Sequence, residues 1–155
     1  MCIEVKMGKI AAAKGTETLT ASGVGSCVVI TLYEHKLKIG AMAHTMLPAR
    51  RAPNPIGNRQ YDIRDAKYSD IAIEEMLKKL ETQGAKSEDL EAKIIGGANM
   101  FPAFKSDISG DNVSSVKKKL KRKGIRIVGE SVGGSQGRSV EFSVASGIVK
   151  VKIIF

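Results

Sequence analysis

Two apolar runs dominate the middle of the chain. Ser26-Cys27-Val28-Val29-Ile30-Thr31-Leu32-Tyr33 and Lys38-Ile39-Gly40-Ala41-Met42-Ala43-His44-Thr45-Met46-Leu47 are rich in β-branched residues and are separated by the polar Glu34-His35-Lys36, the pattern of two paired strands. Before them, Glu4 to Lys14 with a break near Gly8, and Thr16 to Ala21, also read as β. After them, the polar stretch from Pro48 to Lys67 has no periodicity and is long for a loop of a compact domain. Ser69 then caps a predicted helix running to Gln83, with Ala72, Ile73, Met76, Leu77 and Leu80 on one stripe and Gly84 as its stop. Leu90 to Ile95 is a short apolar strand leading into Gly96-Gly97. A second predicted helix spans Asp111 to Lys123, with Val113, Val116 and Leu120 inward and Gly124 ending it. Ile125 to Ser131, Arg138 to Ala145 and Ile148 to Phe155 close the chain as strands, the last two joined at Ser146-Gly147.

Two helices set apart among many strands indicate an α+β layered fold of mainly antiparallel sheet, not an alternating parallel one. At 155 residues with 43% hydrophobic, residues 1–155 are expected to form a single domain with a core sufficient without metals or disulfides. The two cysteines make no disulfide framework and suit a reducing cytosol, so the expected location is cytoplasmic. No apolar signal core or membrane-length run is present, and no membrane insertion is expected.

The net charge of +9 favours an acidic partner. Six of the seven residues from Lys117 to Lys123 are Lys or Arg, at the end of a predicted helix where cations complement the dipole. A solvated helix face explains them more economically than a nucleic-acid patch. Aromatics are 5% of the chain and no nucleic-acid-binding module is recognisable, so no specific nucleic acid is expected.

Gly23-Val24-Gly25-Ser26-Cys27 lacks the third glycine of a dinucleotide loop and leads into a strand. Gly133-Gly134-Ser135-Gln136-Gly137-Arg138 lacks the ending of a phosphate loop, and reads as a permissive turn with Arg138 as a candidate anion contact. No Cys or His spacing suits a metal, and neither metal nor cofactor is expected.

Candidate chemistry rests on Cys27 and His44. In a hairpin turning between His35 and Lys36, Tyr33 faces Lys38 and Cys27 therefore faces His44, with Cβ atoms about 4.5–5.5 Å apart. A one-residue slip would separate them onto opposite faces. Taken alone, Cys27 reads more readily as a small buried hydrophobe than as a nucleophile, and His44 reads as well as a core histidine. Together they form a candidate nucleophile and base, with backbone N–H groups at Ser26 and Cys27 as oxyanion donors. Such a pair serves peptide, ester or side-chain amide hydrolysis alike.

Gly23-Val24-Gly25-Ser26-Cys27-Val28-Val29, Gly40-Ala41-Met42-Ala43-His44-Thr45-Met46-Leu47-Pro48, Lys93-Ile94-Ile95-Gly96-Gly97-Ala98-Asn99-Met100-Phe101 and the Gly133 to Arg138 loop together resemble the CheD family of chemoreceptor glutamine deamidases, in order and over nearly the whole chain. The resemblance implies conversion of glutamines of methyl-accepting chemotaxis receptors to glutamate by a protein-glutamine glutaminase, with Cys27 as nucleophile and His44 as base and acid. It also implies binding to the CheC phosphatase. It implies a β-sandwich-like core with both helices on one side, similar to the cytotoxic necrotizing factor deamidase fold. The family threonine that orients the histidine falls at Ala21, leaving Thr20 and Ser22 beside it as the candidate orienting hydroxyls. A weakly active or non-catalytic CheC partner is the alternative this departure raises. Met100, Phe101 and Phe104 are the candidate partner-binding residues.

Overall fold

The computed structural model describes residues 1–47, 68–100 and 108–154. The Pro48 to Lys67 stretch, Phe101, Phe104 and Phe155 lie outside them. The described residues form nine strands, two helices and a short 3-10 turn: β1 (Cys2–Glu4), β2 (Ile10–Lys14), β3 (Thr18–Val24), β4 (Val28–Glu34), β5 (Ile39–Thr45), α1 (Ser69–Thr82), the turn Ser87–Asp89, β6 (Glu91–Gly96), α2 (Ile108–Arg122), β7 (Arg126–Val132), β8 (Gly137–Ser143) and β9 (Val149–Ile154). The strands build two sheets, ordered β1-β3-β8-β9 and β2-β5-β4-β6-β7. Among the described strand pairs, only β1 with β3 and β6 with β7 run parallel. The α+β expectation therefore holds.

The layering follows from strand alternation. Odd residues of β4 and even residues of β5 point between the sheets, where Val29, Tyr33 and Met42 meet Leu19, Ala21, Val140 and Phe142. The opposite faces, with Val28, Ile30, Leu32, Ala41 and Ala43, are covered by Ile73, Met76, Leu80, Val116 and Leu120 of the two helices. Every residue of β4 and β5 is buried, so the hairpin is the middle layer of a three-layer stack. Gly40 is part of that fit, because a Cβ there would meet the Phe142 ring at 2.7 Å.

The turn of this hairpin differs from expectation. Glu34 pairs with Ile39 and Tyr33 with Gly40, leaving a four-residue loop from His35 to Lys38. Neither His35 nor Lys36 suits the paired positive φ values of a tight two-residue turn. Instead the buried Glu34 carboxylate accepts the Leu37 N–H at 2.6 Å, and Lys38 takes the left-handed conformation at φ 53°. Ser69 also differs from expectation. It is the first helical residue and not the cap, which is Tyr68 without a side-chain cap bond.

The expected break near Gly8 is a change of sheet. β1 belongs to the four-stranded sheet and β2 to the five-stranded one. The chain between them crosses the edge of the sandwich through Val5, Met7 and Gly8.

Candidate active site

Cys27 immediately precedes β4, at the open end of the hairpin. Its carbonyl accepts the Gly97 N–H at 2.7 Å, and the Gly25 carbonyl accepts the Ala98 N–H at 2.9 Å. These bonds seat the Gly25 to Cys27 loop on the Gly96-Gly97 turn. Gly96 has φ 113°, and a Cβ there would lie 2.3 Å from the Cys27 carbonyl oxygen and 2.8 Å from Val24 Cγ1, so only glycine admits this approach. Arg138 holds the platform from behind. It is buried, and its guanidinium donates to Ser131 Oγ at 3.2 Å, to the Gly133 carbonyl at 3.0 Å and to the Gly96 carbonyl at 3.5 Å. The candidate anion contact is thus engaged with the protein's own loops.

His44 lies on β5 and is buried, 1% exposed. The crossing segment grips it from the N-terminal side. His44 N–H donates to the Lys9 carbonyl at 3.1 Å, its carbonyl accepts the Gly8 N–H at 2.8 Å, and its Nδ1 donates to the Val5 carbonyl at 3.2 Å. A carbonyl can only accept, so Nδ1 carries the ring proton and Nε2 keeps a free lone pair. Nε2 is buried and has no hydrogen-bond partner among the described residues. Burial pushes the imidazole pKa below its ordinary 6.5, with the Val5 carbonyl opposing the shift. At neutral pH the ring is uncharged, in the tautomer a general base requires.

The Cys27 thiol is raised above its ordinary 9.0 by burial, partly offset by its own backbone N–H, which is turned toward the sulfur. The same N–H is one of the two named from the sequence as candidate oxyanion donors. Cys27 Sγ lies 3.6 Å from Met7 Sδ, and Met7 is itself 54% exposed. At rest, then, the thiol contacts a thioether at the surface and not the imidazole.

The four-residue loop shifts the hairpin register by two residues, so His44 faces Val29 and not Cys27. A two-residue shift preserves the face. Cys27 sits one residue before the last ladder pair, Val28 with Thr45, and strand alternation continued by that one residue puts its side chain on the face of His44 as a diagonal neighbour, a relationship that separates Cα atoms by about 7–8 Å and still lets long side chains reach each other.

Thr20 and Ser22 do not support His44. Ser22 is exposed, with its Oγ 3.5 Å from Glu4 Oε2, and the Thr20 hydroxyl pairs with Cys2 Sγ at 4.0 Å. A bulge does fall between Ala21 and Val24, yet it keeps both inner residues in the core and both hydroxyls outside. Thr20 acts through its backbone instead: its carbonyl accepts the Val5 N–H at 2.7 Å, and Val5 in turn holds the imidazole.

Met100, 41% exposed, lies over Gly25, with its Cγ 3.1 Å from where a Cβ would be. Half of the basic helix end is engaged within the fold: Lys117 pairs with Glu130, and Lys119 and Lys123 both reach Glu74. Val5, Met7 and Asn112 were not singled out from the sequence. Asn112 alone carried a readable signal, as a polar residue in register with Val116 and Leu120 on the buried stripe of α2.

Fold and site together define a two-sheet, two-helix α+β protein with a buried thiol, capped by an exposed thioether, at the end of the strand pair that carries a buried, neutral histidine. The family model for CheD, described as chemotactic sensory transduction, matches residues 46–153. The chain is also 37% identical over 148 residues to the chemoreceptor glutamine deamidase CheD of Thermotoga maritima, covering 96% of this chain and 89% of that protein. It is 41% identical over 146 residues to the protein of that name from Halalkalibacterium halodurans, covering 91% and 86%. It is 39% identical to the probable chemoreceptor glutamine deamidase CheD of Pyrococcus abyssi, covering 97% and 90%. The chain belongs to the CheD family. None of the helices among the described residues is long and apolar enough to cross a membrane.

Proposed function

We propose that this protein deamidates glutamine side chains of methyl-accepting chemotaxis receptors in the cytoplasm, through a thioester on Cys27. The observation that carries the reading is the free Nε2 lone pair of a neutral His44 on the same face as the Cys27 thiol. Substrate entering at the surface displaces Met7, and rotation about the Cys27 Cα–Cβ bond swings Sγ from the thioether toward Nε2. His44 takes the thiol proton as sulfur attacks the glutamine Cδ, and the oxyanion forms beside the Cys27 N–H. The C–N bond breaks as His44 returns that proton to nitrogen, releasing ammonia. Water then attacks the thioester, giving its proton to His44, and glutamate leaves as the proton passes back to sulfur. Because both groups are neutral at rest, the proton moves during attack and no standing thiolate–imidazolium pair is needed.

The names borne by the relatives support the substrate, and the excess of positive charge speeds encounter with an acidic partner. Binding to CheC is part of the same reading, supported by the exposed thioether of Met100 beside the site. The test is incubation with a cognate receptor followed by peptide mass spectrometry. Each deamidated glutamine gains about one mass unit in the wild type, and none changes with Cys27→Ala. Conversion persisting in Cys27→Ala would overturn the mechanism.

A further inference from the structure

Asn112 is fully buried on α2, yet its side chain reaches past the helix to the open end of the hairpin. Its Nδ2 donates to the Ser26 carbonyl at 2.9 Å and to the Met46 carbonyl at 3.1 Å. These carbonyls belong to the segments carrying Cys27 and His44. The β4–β5 ladder ends at the pair Val28 and Thr45, so one side-chain amide supplies a further rung where the backbone no longer provides one. The donor spans both arms of the site.

The Ser26 contact also sets a direction. In a trans peptide the C=O and the following N–H point opposite ways in one plane. Drawing the Ser26 carbonyl toward Asn112 therefore turns the Cys27 N–H away from the helix, to the side where Sγ lies. That N–H is the oxyanion donor of the proposed reaction. We propose that Asn112 is a positioning residue: it clamps the Cys27 and His44 segments at fixed separation and orients the Ser26–Cys27 peptide so that its N–H faces the reacting sulfur. The inference rests on Cys27 being the nucleophile. The Asn112 Oδ1 is buried and has no partner among the described residues, so the side chain is held in place through its two donors.

The experiment uses the full chain with Cys2→Ser, leaving Cys27 as the sole thiol. Asn112→Ala and Asn112→Ser are compared with Leu120→Ala, which truncates a buried side chain on the same helix stripe without touching either carbonyl. Cys27 alkylation by iodoacetamide is followed against pH, alongside receptor deamidation and thermal melting. Asn112→Ala is expected to move the alkylation midpoint upward, since the thiolate loses its aligned N–H, and to lower kcat about 100-fold, the range seen when one oxyanion donor is lost, with KM little changed. Asn112→Ser, which retains one donor, falls between. Leu120→Ala lowers the melting temperature without moving the midpoint. An Asn112→Ala profile that overlays the wild type overturns the proposal, as does a Leu120→Ala shift of equal size. Alkylation reads the thiol whether or not Cys27 is the nucleophile. Failure of the deamidase reading would instead appear as activity surviving Cys27→Ala.

Discussion

Gly96→Ala should separate the cost of backbone strain from the cost of moving the nucleophile. A non-glycine residue at φ 113° pays on the order of 1–3 kcal/mol in backbone strain. The added Cβ would also sit 2.3 Å from the Cys27 carbonyl oxygen. Reaching even 3.0 Å, below which such contacts are not seen, requires that oxygen to move by about 0.7 Å. The same oxygen accepts the Gly97 N–H, and weakening that bond adds roughly 1 kcal/mol. The total is about 2–4 kcal/mol, or very roughly 5–15 °C in melting temperature for a chain of this size. Because the obstruction is Cys27's own backbone, the thiol moves with it, and a misplacement approaching 1 Å costs about 100-fold in rate. Gly124→Ala is the control. Its φ is 72° with nothing within 4 Å of the added Cβ, so it carries strain of about 1–2 kcal/mol at the end of α2 and should retain full activity. The assays are thermal melting and receptor deamidation on both variants. If Gly96→Ala keeps activity within twofold of the wild type, or loses no more than Gly124→Ala, the view that Gly96 exists to seat Cys27 is wrong.

Two pH-dependent outcomes follow from the same structure. Alkylation of Cys27 in the free protein should rise with pH to a midpoint above 9.0, while the acid limb of kcat/KM, set by protonation of His44, should fall below 6.5; an alkylation midpoint near neutrality would mean a preformed thiolate and refute the neutral pair. Between the two helices, hydrogen bonds from Lys119 and then Lys123 hold the Glu74 carboxyl below its ordinary 4.5. Its stabilisation is complete above that value and lost as pH falls through the lowered one. Glu74→Gln should therefore lower stability at pH 7 by under about 1 kcal/mol, since the group is part exposed and screened, and the two proteins should converge in acid. A gap that persists there would assign the effect to packing.

The sequence by itself determined the elements, because each rests on local periodicity. The stripe Ala72, Ile73, Met76, Leu77, Leu80 and the stops at Gly84 and Gly124 are readable without any tertiary contact, and the helices and strands fall within a few residues of expectation except β1, which covers Cys2–Glu4 where the pattern placed strand from Glu4 toward Gly8. It also carried the parity argument that puts Cys27 and His44 on one face, an argument that survives a two-residue change of register. Tertiary structure decided the rest. The hairpin register depended on a carboxylate from Glu34 and a left-handed Lys38, neither of which is encoded in the hydrophobic pattern. The support of His44 depended on backbone carbonyls, and every residue carries one, so composition could not point to Val5 in place of a hydroxyl at position 21. Met7 reaches the thiol because the chain changes sheets, and Asn112 reaches both arms because α2 packs across the hairpin's open end. A pattern along the chain records which face a side chain occupies, while the atoms that orient a catalytic pair arrive from segments that only the packed layers bring together.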